Sequence, residues 1–315
     1  MYEKYFYLKE KPFHITPDPR FLYLGSKHRE AIELLAYGIS GKKGFIMLTG
    51  EVGTGKTTLS RAFLDKLPKK TASALILNPV LSELDLLKTI TDDFGLGIRG
   101  NVKEHLDGLN AFLMKNALDG ITTIVIIDEA QNLSLPTMEM LRLLSNIETQ
   151  REKLLQIVLV GQPELKEKLL TRELRQLNQR VIARYHLEPL ERPETEAYIN
   201  NRLMIAGANG NVRFTSDALD LVQRASTGIP RIINIICDRA LTAAFISDKR
   251  IVDIEIITRA VCELEDEGYL KESLADRCAA RFLPHIAVST LAAGIAAGLR
   301  WGTPLIQRMM TGAAW

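Results

Sequence analysis

One stretch of the sequence fits a phosphate-binding loop. It matches the pattern GxxxxGK[ST] and consists of Gly50, Glu51, Val52, Gly53, Thr54, Gly55, Lys56 and Thr57. Glycines let such a loop curl so that its backbone N–H groups face phosphate oxygens, and the helix that follows adds its positive dipole end. The pattern predicts that the Lys56 ammonium reaches the β- and γ-phosphates of ATP and that the Thr57 hydroxyl binds Mg²⁺. The next residue, Thr58, is assigned to the same nucleotide site.

An acidic pair forms the second candidate group. Asp128 and Glu129 end the apolar run over residues 123–127. In parallel α/β sheets the ligand crevice lies at the carboxyl ends of the strands. We therefore expect Asp128 to hold Mg²⁺, directly or through water, and Glu129 to orient or deprotonate the attacking water as a general base. Two carboxylates after a strand can also be a solvated loop, but the phosphate-binding loop upstream favours the chemical interpretation.

A polar side chain follows the next apolar run, over residues 155–160. Gln162 stands two positions after that run and next to Pro163. A side chain at such a strand tip lies between the phosphate-binding loop and the acidic strand, within reach of a γ-phosphate. Gln162 is therefore a candidate phosphate sensor, and the alternative is an ordinary turn residue beside a proline.

Arginines supply the remaining candidates. Arg175, Arg180 and Arg184 surround the next helix-to-strand transition. Phosphoryl transfer needs positive charge on the transferred group, and an arginine from a neighbouring subunit can provide it. We favour Arg180 or Arg184 for this role, although exposed arginines can simply solvate a surface. Arg231, which opens a later helix, is placed to reach the nucleotide across a cleft between two domains.

Strands and helices alternate around these residues. Continuous apolar runs over 44–49, 74–77, 123–127 and 155–160 predict strands that are covered on both faces, as in a parallel sheet. Helical patterns over 28–39, 56–67, 83–94, 102–118 and 137–146 separate them. This order predicts an α/β fold with a parallel sheet, helices on both faces and right-handed crossovers.

Four segments follow from this pattern. Residues 1–25 are rich in aromatic residues and proline and predict an extended arm laid over a domain. Residues 26–190 form the α/β domain. Residues 191–268 form a small all-helical domain, with helices over 194–206, 216–225, 229–246 and 254–265. Residues 269–315 form a linker with a candidate transmembrane helix.

The motifs, taken in their chain order, resemble those of the AAA+ ATPases. In that family they are called Walker A, Walker B, sensor 1, arginine finger and sensor 2. The resemblance implies that the helical domain is the AAA+ lid and that the chain forms ring-shaped homo-oligomers with sites between subunits.

A narrower resemblance is to the ExeA/GspA family of type II secretion proteins. The residues that carry it are the opening MYEKYFYLKEKPFHITPDPRFLYLGSKHREAIELLAYGI and the stretches LTGEVGTGKTTL, IDEAQNLS, VLVGQPEL, LRQLNQR and GIPRIINIICDRAL. It implies an ATPase domain in the cytoplasm, a bacterial inner-membrane location, a GspB-like partner and a role in assembling the outer-membrane secretin. Related ATPases also serve pilus biogenesis, exopolymer export and transposition.

The apolar segment 282–299 bears on that resemblance. It carries no aspartate, glutamate, lysine or arginine, and eighteen helical residues reach roughly 27 Å, close to the thickness of a hydrocarbon core. We expect it to anchor the chain in the membrane, the alternative being an Ala-rich helix packed on the protein. Because only sixteen residues follow it, we expect no peptidoglycan-binding region there.

Charge separates the two classes of function that remain. The net charge is +2, and no long run of lysine or arginine is present. A dedicated nucleic-acid binder usually carries a basic excess on one face. An envelope-assembly ATPase is therefore favoured over a nucleic-acid-binding regulator such as a transposition ATPase, which stays the alternative.

Overall fold

A five-stranded parallel sheet forms the centre of the larger part of the molecule. It is seen in a computed structural model that describes residues 1–16, 18–42, 44–150 and 152–269. The strands are β1 (Phe45–Gly50), β2 (Thr71–Ile76), β3 (Thr122–Ile127), β4 (Leu155–Gly161) and β5 (Val181–Leu187). Their order is β2-β3-β4-β1-β5, and all neighbours run parallel. The predicted α/β fold with a parallel sheet is confirmed.

Helices connect the strands and build the second part of the chain. Within the described residues they are α1 (Tyr2–Tyr5), α2 (Ser26–Ser40), α3 (Lys56–Asp65), α4 (Glu83–Asp93), α5 (Val102–Leu118), α6 (Leu135–Leu144), α7 (Glu164–Leu169), α8 (Arg175–Asn178), α9 (Arg192–Ile205), α10 (Ser216–Ser226), α11 (Pro230–Ile246) and α12 (Ile254–Asp266). Two 3₁₀ turns, Pro19–Phe21 and Ala130–Asn132, complete the helical structure described.

Both faces of the sheet are covered by apolar side chains. On β3, Val125 and Ile127 belong to the hydrophobic cluster that includes residues of α4, α5 and α6. Their neighbours Ile124 and Ile126 belong to a separate cluster with residues of α2 and α3. Successive side chains of a strand point to opposite faces, so a run without polar positions is required when both faces are buried.

The strand order brings the candidate residues to one edge of the sheet. Strand β4 lies between β1 and β3, with Thr49 opposite Gly161 and Ile127 opposite Leu159. The carboxyl ends of β1, β3 and β4 are therefore adjacent. The phosphate-binding loop follows the first of these ends, the acidic pair the second, and Gln162 the third.

The arm packs on the helical part of the chain and not on the sheet. Four arm aromatics, Tyr2, Phe6, Phe13 and Phe21, are buried in one cluster with apolar residues of α9 to α12. The arm is less extended than its prolines predict, because it contains the short helix α1 and a 3₁₀ turn that begins at Pro19. The boundaries at residues 25, 190 and 268 stay predictions.

The region after α9 also contains strand structure that the sequence does not predict. Two very short strands, β6 (Arg213–Phe214) and β7 (Ile251–Val252), pair in parallel. Two residues are too few to show a period, so the pattern predicts only helices there.

No helix within the described residues is long and apolar enough to cross a membrane. The candidate segment 282–299 lies outside those residues.

Candidate nucleotide site

The phosphate-binding loop joins the end of β1 to the start of α3. Gly53 and Gly55 have φ angles of +84° and +98°, a backbone region that glycine enters without steric cost. The Lys56 ammonium is buried and donates to the carbonyl oxygens of Gly50, at 2.8 Å, and Glu51, at 2.9 Å. Burial lowers the pKa of Lys56, while the carboxylates of Glu129 and Asp128 oppose that shift.

Two oxygen-bearing side chains, Thr57 and Asp128, are hydrogen-bonded to each other beside the loop. The Thr57 hydroxyl donates to Asp128 Oδ2 at 2.5 Å, and Asp128 Oδ1 accepts from the backbone N–H of Glu129 at 2.9 Å. Asp128 is buried, and this burial raises its pKa, with the Thr57 hydrogen bond opposing the shift. Mg²⁺ prefers hard oxygen ligands such as these, so the residues present fit that ion.

Glu129 is held by two glutamines. Its carboxylate Oε2 accepts from Gln131 Nε2 at 2.6 Å and from Gln162 Nε2 at 3.2 Å. The backbone of Glu129 is left-handed, with φ of +50°, which is uncommon for a residue with a side chain. Gln162, predicted from its position at a strand tip, therefore lies in direct contact with the predicted general base.

The helical part of the chain touches the loop through the start of α11. The backbone N–H of Arg231 donates to the carbonyl oxygen of Gly53 at 3.3 Å. A Cβ on Gly53 would lie 2.7 Å from the Arg231 Cβ, so only glycine permits this approach. The structure thus brings the backbone of Arg231 against the phosphate-binding loop, and the reach of its guanidinium to a nucleotide stays a prediction.

A cavity of about 540 Å³ opens over the loop. Its walls come from the loop, the arm and the helical region. Lining residues are 52–59 of the loop and α3, His14, Ile15, Thr16, Asp18, Phe21, Leu22 and Tyr23 of the arm, and His28, Glu129, Leu190, Tyr198, Arg202, Pro230, Arg231 and Asn234. Thr58 is among them, whereas Gly50, Glu51, Asp128 and Gln162 are not among the lining residues.

One side of the cavity is organised by a buried guanidinium. Arg202 donates to the carbonyl oxygens of Pro12, at 2.5 Å, and His14, at 3.3 Å, and to the Tyr198 hydroxyl, at 3.0 Å. The guanidinium carbon also stands 4.7 Å from the centre of the Phe21 ring, a cation–π distance. Arg202 thereby fastens the arm to the helical region.

Arg180 and Arg184 do not line the cavity. The Arg180 guanidinium donates to Ser145 Oγ and to Asn146 Oδ1, both at 2.6 Å, at the carboxyl end of α6. There it complements the negative end of the helix dipole. Arg184 is exposed on the edge strand β5 and donates to Asn178 Oδ1 at 2.7 Å.

Three residues of the site are missing from the sequence-based prediction. His28 is buried, and its Nε2 lies 3.1 Å from the Thr54 carbonyl oxygen, so this nitrogen must carry the proton. Burial lowers the pKa of His28. Gln131 offered no pattern beyond its position two residues after Glu129. Arg202 offered a usable signal, because it stands four residues after Tyr198 on the apolar face of α9.

The comparisons with known proteins agree with this geometry. Residues 39–169 match the family model described as AAA domain. The chain contains an AAA domain. It is also 47% identical, over 279 residues, to General secretion pathway protein A of Aeromonas hydrophila, which confirms the resemblance to the ExeA/GspA family. That match covers 87% of this chain and 51% of the relative, so the chain spans about half the length of the relative.

Solved structures support the fold. The ORC2 protein of Aeropyrum pernix in its ADP form superposes with a TM-score of 0.61 at 16% identity, over 81% of this chain and 73% of that one. The RuvB branch migration motor of Thermotoga maritima superposes with a TM-score of 0.51 at 17% identity, over 76% of this chain and 70% of that one. At these identities the likeness shows the P-loop AAA+ fold alone.

Proposed function

We propose that the chain binds ATP with Mg²⁺ in this cavity and hydrolyses it to ADP and phosphate. The observation that carries the proposal is the convergence of Lys56, Thr57, Asp128 and Glu129 at the carboxyl ends of β1 and β3. A fold of this family implies nucleotide binding. The four side chains supply in addition a cation, two metal-binding oxygens and a carboxylate base, which are the groups that hydrolysis of a phosphoanhydride requires.

Each side chain then has one role. Lys56 binds the β- and γ-phosphate oxygens together with the backbone N–H groups of residues 50–58. Thr57 and Asp128 hold Mg²⁺, which supplies positive charge on the phosphate oxygens when bound. Glu129 accepts the proton of the attacking water. Gln162 at the tip of β4 and Arg231 at the start of α11 are the residues that would contact the γ-phosphate, and the arm end of the cavity would accommodate the adenine.

Two substitutions test this proposal. Glu129→Gln keeps the shape of the side chain but removes the base, so turnover should fall by about 10²-fold or more while ATP binding persists. Lys56→Ala should weaken ATP binding itself. Steady-state phosphate release and the Kd of a fluorescent ATP analogue separate the two effects, with Glu173→Gln, an exposed glutamate, as control. Normal turnover in the Glu129 variant would remove that residue from the mechanism.

We further propose that active assemblies are homo-oligomers in which Arg180 or Arg184 serves the site of a neighbouring subunit. Both arginines lie away from their own chain's cavity, which a role in trans requires. Arg184 is exposed on the edge strand β5, whereas the Arg180 guanidinium donates to groups at the end of α6, so Arg184 is the more accessible to a neighbouring subunit. Mixing an Arg184→Ala variant with Lys56→Ala should restore part of the activity, since a mixed interface joins an intact loop to an intact arginine. Absence of rescue for both arginines would favour a self-contained site.

At the level of the cell, we propose that the chain assists assembly of a type II secretion or related envelope machine at the bacterial inner membrane, with a GspB-like partner. The support is the 47% identity to General secretion pathway protein A. The chain of 315 residues should then sediment with membranes and resist carbonate extraction, while a chain that ends at Arg281 should stay in the supernatant. If the 315-residue chain is soluble and retains DNA in moderate salt, the nucleic-acid regulator is favoured instead.

A further inference from the structure

We propose that Gln131 is a positioning residue that fixes the Glu129 carboxylate relative to the tip of β4. The inference rests on the proposed function, because it concerns the residue that carries the base role there. Gln131 is the second residue of the 3₁₀ turn that follows the acidic pair. Its amide contacts Glu129 and the backbone of Gln162, so we assign it a role through Glu129 and not on the nucleotide.

Both ends of the Gln131 amide are used. Its Nε2 donates to Glu129 Oε2 at 2.6 Å, and its Oε1 accepts from the backbone N–H of Gln162 at 3.1 Å. These partners fix the orientation of the amide, since a flipped amide would set oxygen against the carboxylate and nitrogen against an N–H group. The side chain therefore bridges the turn after β3 and the end of β4, and a change at either one is transmitted to the other.

Gly161 leaves the space that this bridge needs. A Cβ at position 161 would lie 2.7 Å from Gln131 Oε1 and 3.0 Å from Leu165 Cδ2. A contact of 2.7 Å is shorter than real Cβ atoms show, so any side chain there would displace the amide. The absence of a side chain at Gly161 is thus what allows the Gln131 side chain to reach the end of β4.

Lys168 anchors the same turn from the other side. Its ammonium donates to the carbonyl oxygen of Gln131 at 2.9 Å and to that of Leu133. These contacts hold the turn that keeps Glu129 in its left-handed backbone conformation. Such a conformation costs free energy and persists only where neighbouring groups enforce it.

The network holds Glu129 toward the reacting centre. The Glu129 side chain lines the cavity, and its negative charge favours the charged form of the buried Lys56 ammonium. Because only Oε2 is bound by the glutamines, Oε1 stays available to accept a proton. A small displacement of a catalytic group costs about 10²-fold in rate, so a tether of this kind has a large effect on turnover.

Gln131→Met and Gln131→Glu test the proposal. Methionine keeps the length of the side chain but loses both hydrogen bonds, and kcat should fall about 10- to 100-fold while the Kd of an ATP analogue changes less than about twofold. Glutamate keeps an oxygen that can accept from the Gln162 N–H, but it places a second carboxylate against that of Glu129. The kcat of the Gln131→Glu variant should therefore fall further. Gln150→Ala, an exposed glutamine, is the control.

A double-mutant cycle separates this inference from the proposed function. In the Glu129→Gln background, Gln131→Met should have no further effect on kcat, because the group it positions is already gone. Lys168→Met should reproduce part of the Gln131→Met loss in kcat with ATP-analogue binding retained. Normal kcat in Gln131→Met beside a slow Glu129→Gln would overturn the positioning role alone. Normal kcat in Glu129→Gln would overturn the proposed function.

Discussion

The cavity has two ends that are built in different ways. At the phosphate end, Lys56 and Thr57 at the start of α3 meet Asp128 and Glu129 beyond the carboxyl ends of β1 and β3, the two strands that flank β4. At the arm end, the walls are apolar and polar side chains of arm residues 14–16, 18 and 21–23 and of the helical region, and the Arg202 guanidinium joins the two parts. The first end gathers charged and hydroxyl side chains near the carboxyl ends of the sheet strands, and the second joins Pro12 to Arg202, which are 190 residues apart in the chain.

The phosphate end holds the groups that we assign to catalysis, and the arm end holds the contacts that join the arm to the helical region. Charged side chains at the phosphate end are buried against their electrostatic preference, as the raised pKa of Asp128 and the lowered pKa of Lys56 show. Burial of that kind is unfavourable for folding and is typical of functional sites. At the arm end, the buried groups are aromatic rings and hydrogen-bonded polar atoms, and their burial stabilises the fold. Changes at the two ends should therefore move different observables.

The largest effect is expected at the phosphate end. Asp128→Asn removes a carboxylate that we assign to Mg²⁺, so turnover should fall by about 10²-fold or more, equivalent to roughly 3 kcal/mol of transition-state stabilisation. Because burial raises the pKa of Asp128, its ionised form is disfavoured in the folded protein, and the neutral amide should leave the urea midpoint unchanged or higher. A lower midpoint together with normal turnover would contradict the comparison.

The junction between the two ends should be the most sensitive point for stability. Gly228, just before α11, has φ of +77°, and an added Cβ would lie 2.0 Å from the Leu190 carbonyl oxygen. Gly228→Ala should reduce the free energy of unfolding by about 3 kcal/mol or more and weaken nucleotide binding, because Arg231 moves with the start of α11. Urea unfolding and analogue binding provide the measurements.

Gly120→Ala is the matched control for that change. Gly120 has φ of +68°, but an added Cβ there meets nothing within 4 Å. Gly120→Ala should lower the free energy of unfolding by only about 1 kcal/mol, which is the strain of a left-handed backbone in a residue with a side chain. The difference between the two variants isolates the close approach of Gly228 to Leu190. Equal losses would show that this contact contributes nothing.

At the arm end, Arg202→Met should act on stability first. The substitution leaves the carbonyl oxygens of Pro12 and His14 without this donor and removes the contact with the Phe21 ring. We expect a loss of about 2–3 kcal/mol in the free energy of unfolding, faster proteolysis within residues 1–25, and a smaller effect on kcat. Arg224→Met, an exposed arginine of α10, is the control. An intact arm in the Arg202 variant would contradict its fastening role.

The contrast between the ends also explains which features the sequence predicts. A contiguous motif and apolar runs are sufficient for the phosphate end, and β1, β3 and β4 lie within one residue of their predicted bounds. Strand β5 carries no apolar run, because an edge strand exposes alternate positions such as Ile182 and Arg184. For the same reason β2 begins three residues earlier than predicted, where its side chains are partly exposed.

The arm end has no comparable signature in the sequence. Its contacts join Pro12 and His14 to Arg202, and no periodicity links positions so far apart. The aromatic residues of the arm indicate burial but not the surface that buries them. Gln131 and Gly161 show the same limit, since their match exists only after β3 and β4 have become neighbours.

The smallest expected effect comes from the Tyr198 hydroxyl, which donates to Asn234 Oδ1 at 2.9 Å and accepts from Arg202 Nη1 at 3.0 Å. Tyr198→Phe keeps the buried ring and should cost about 1 kcal/mol, the usual net value of a buried hydrogen bond. Combined with Arg202→Met, the losses should be less than additive, because one bond is shared. Urea unfolding of the four proteins in the cycle measures this coupling. Strict additivity would mean that Tyr198 and Arg202 stabilise the arm end independently, although their side chains are in contact.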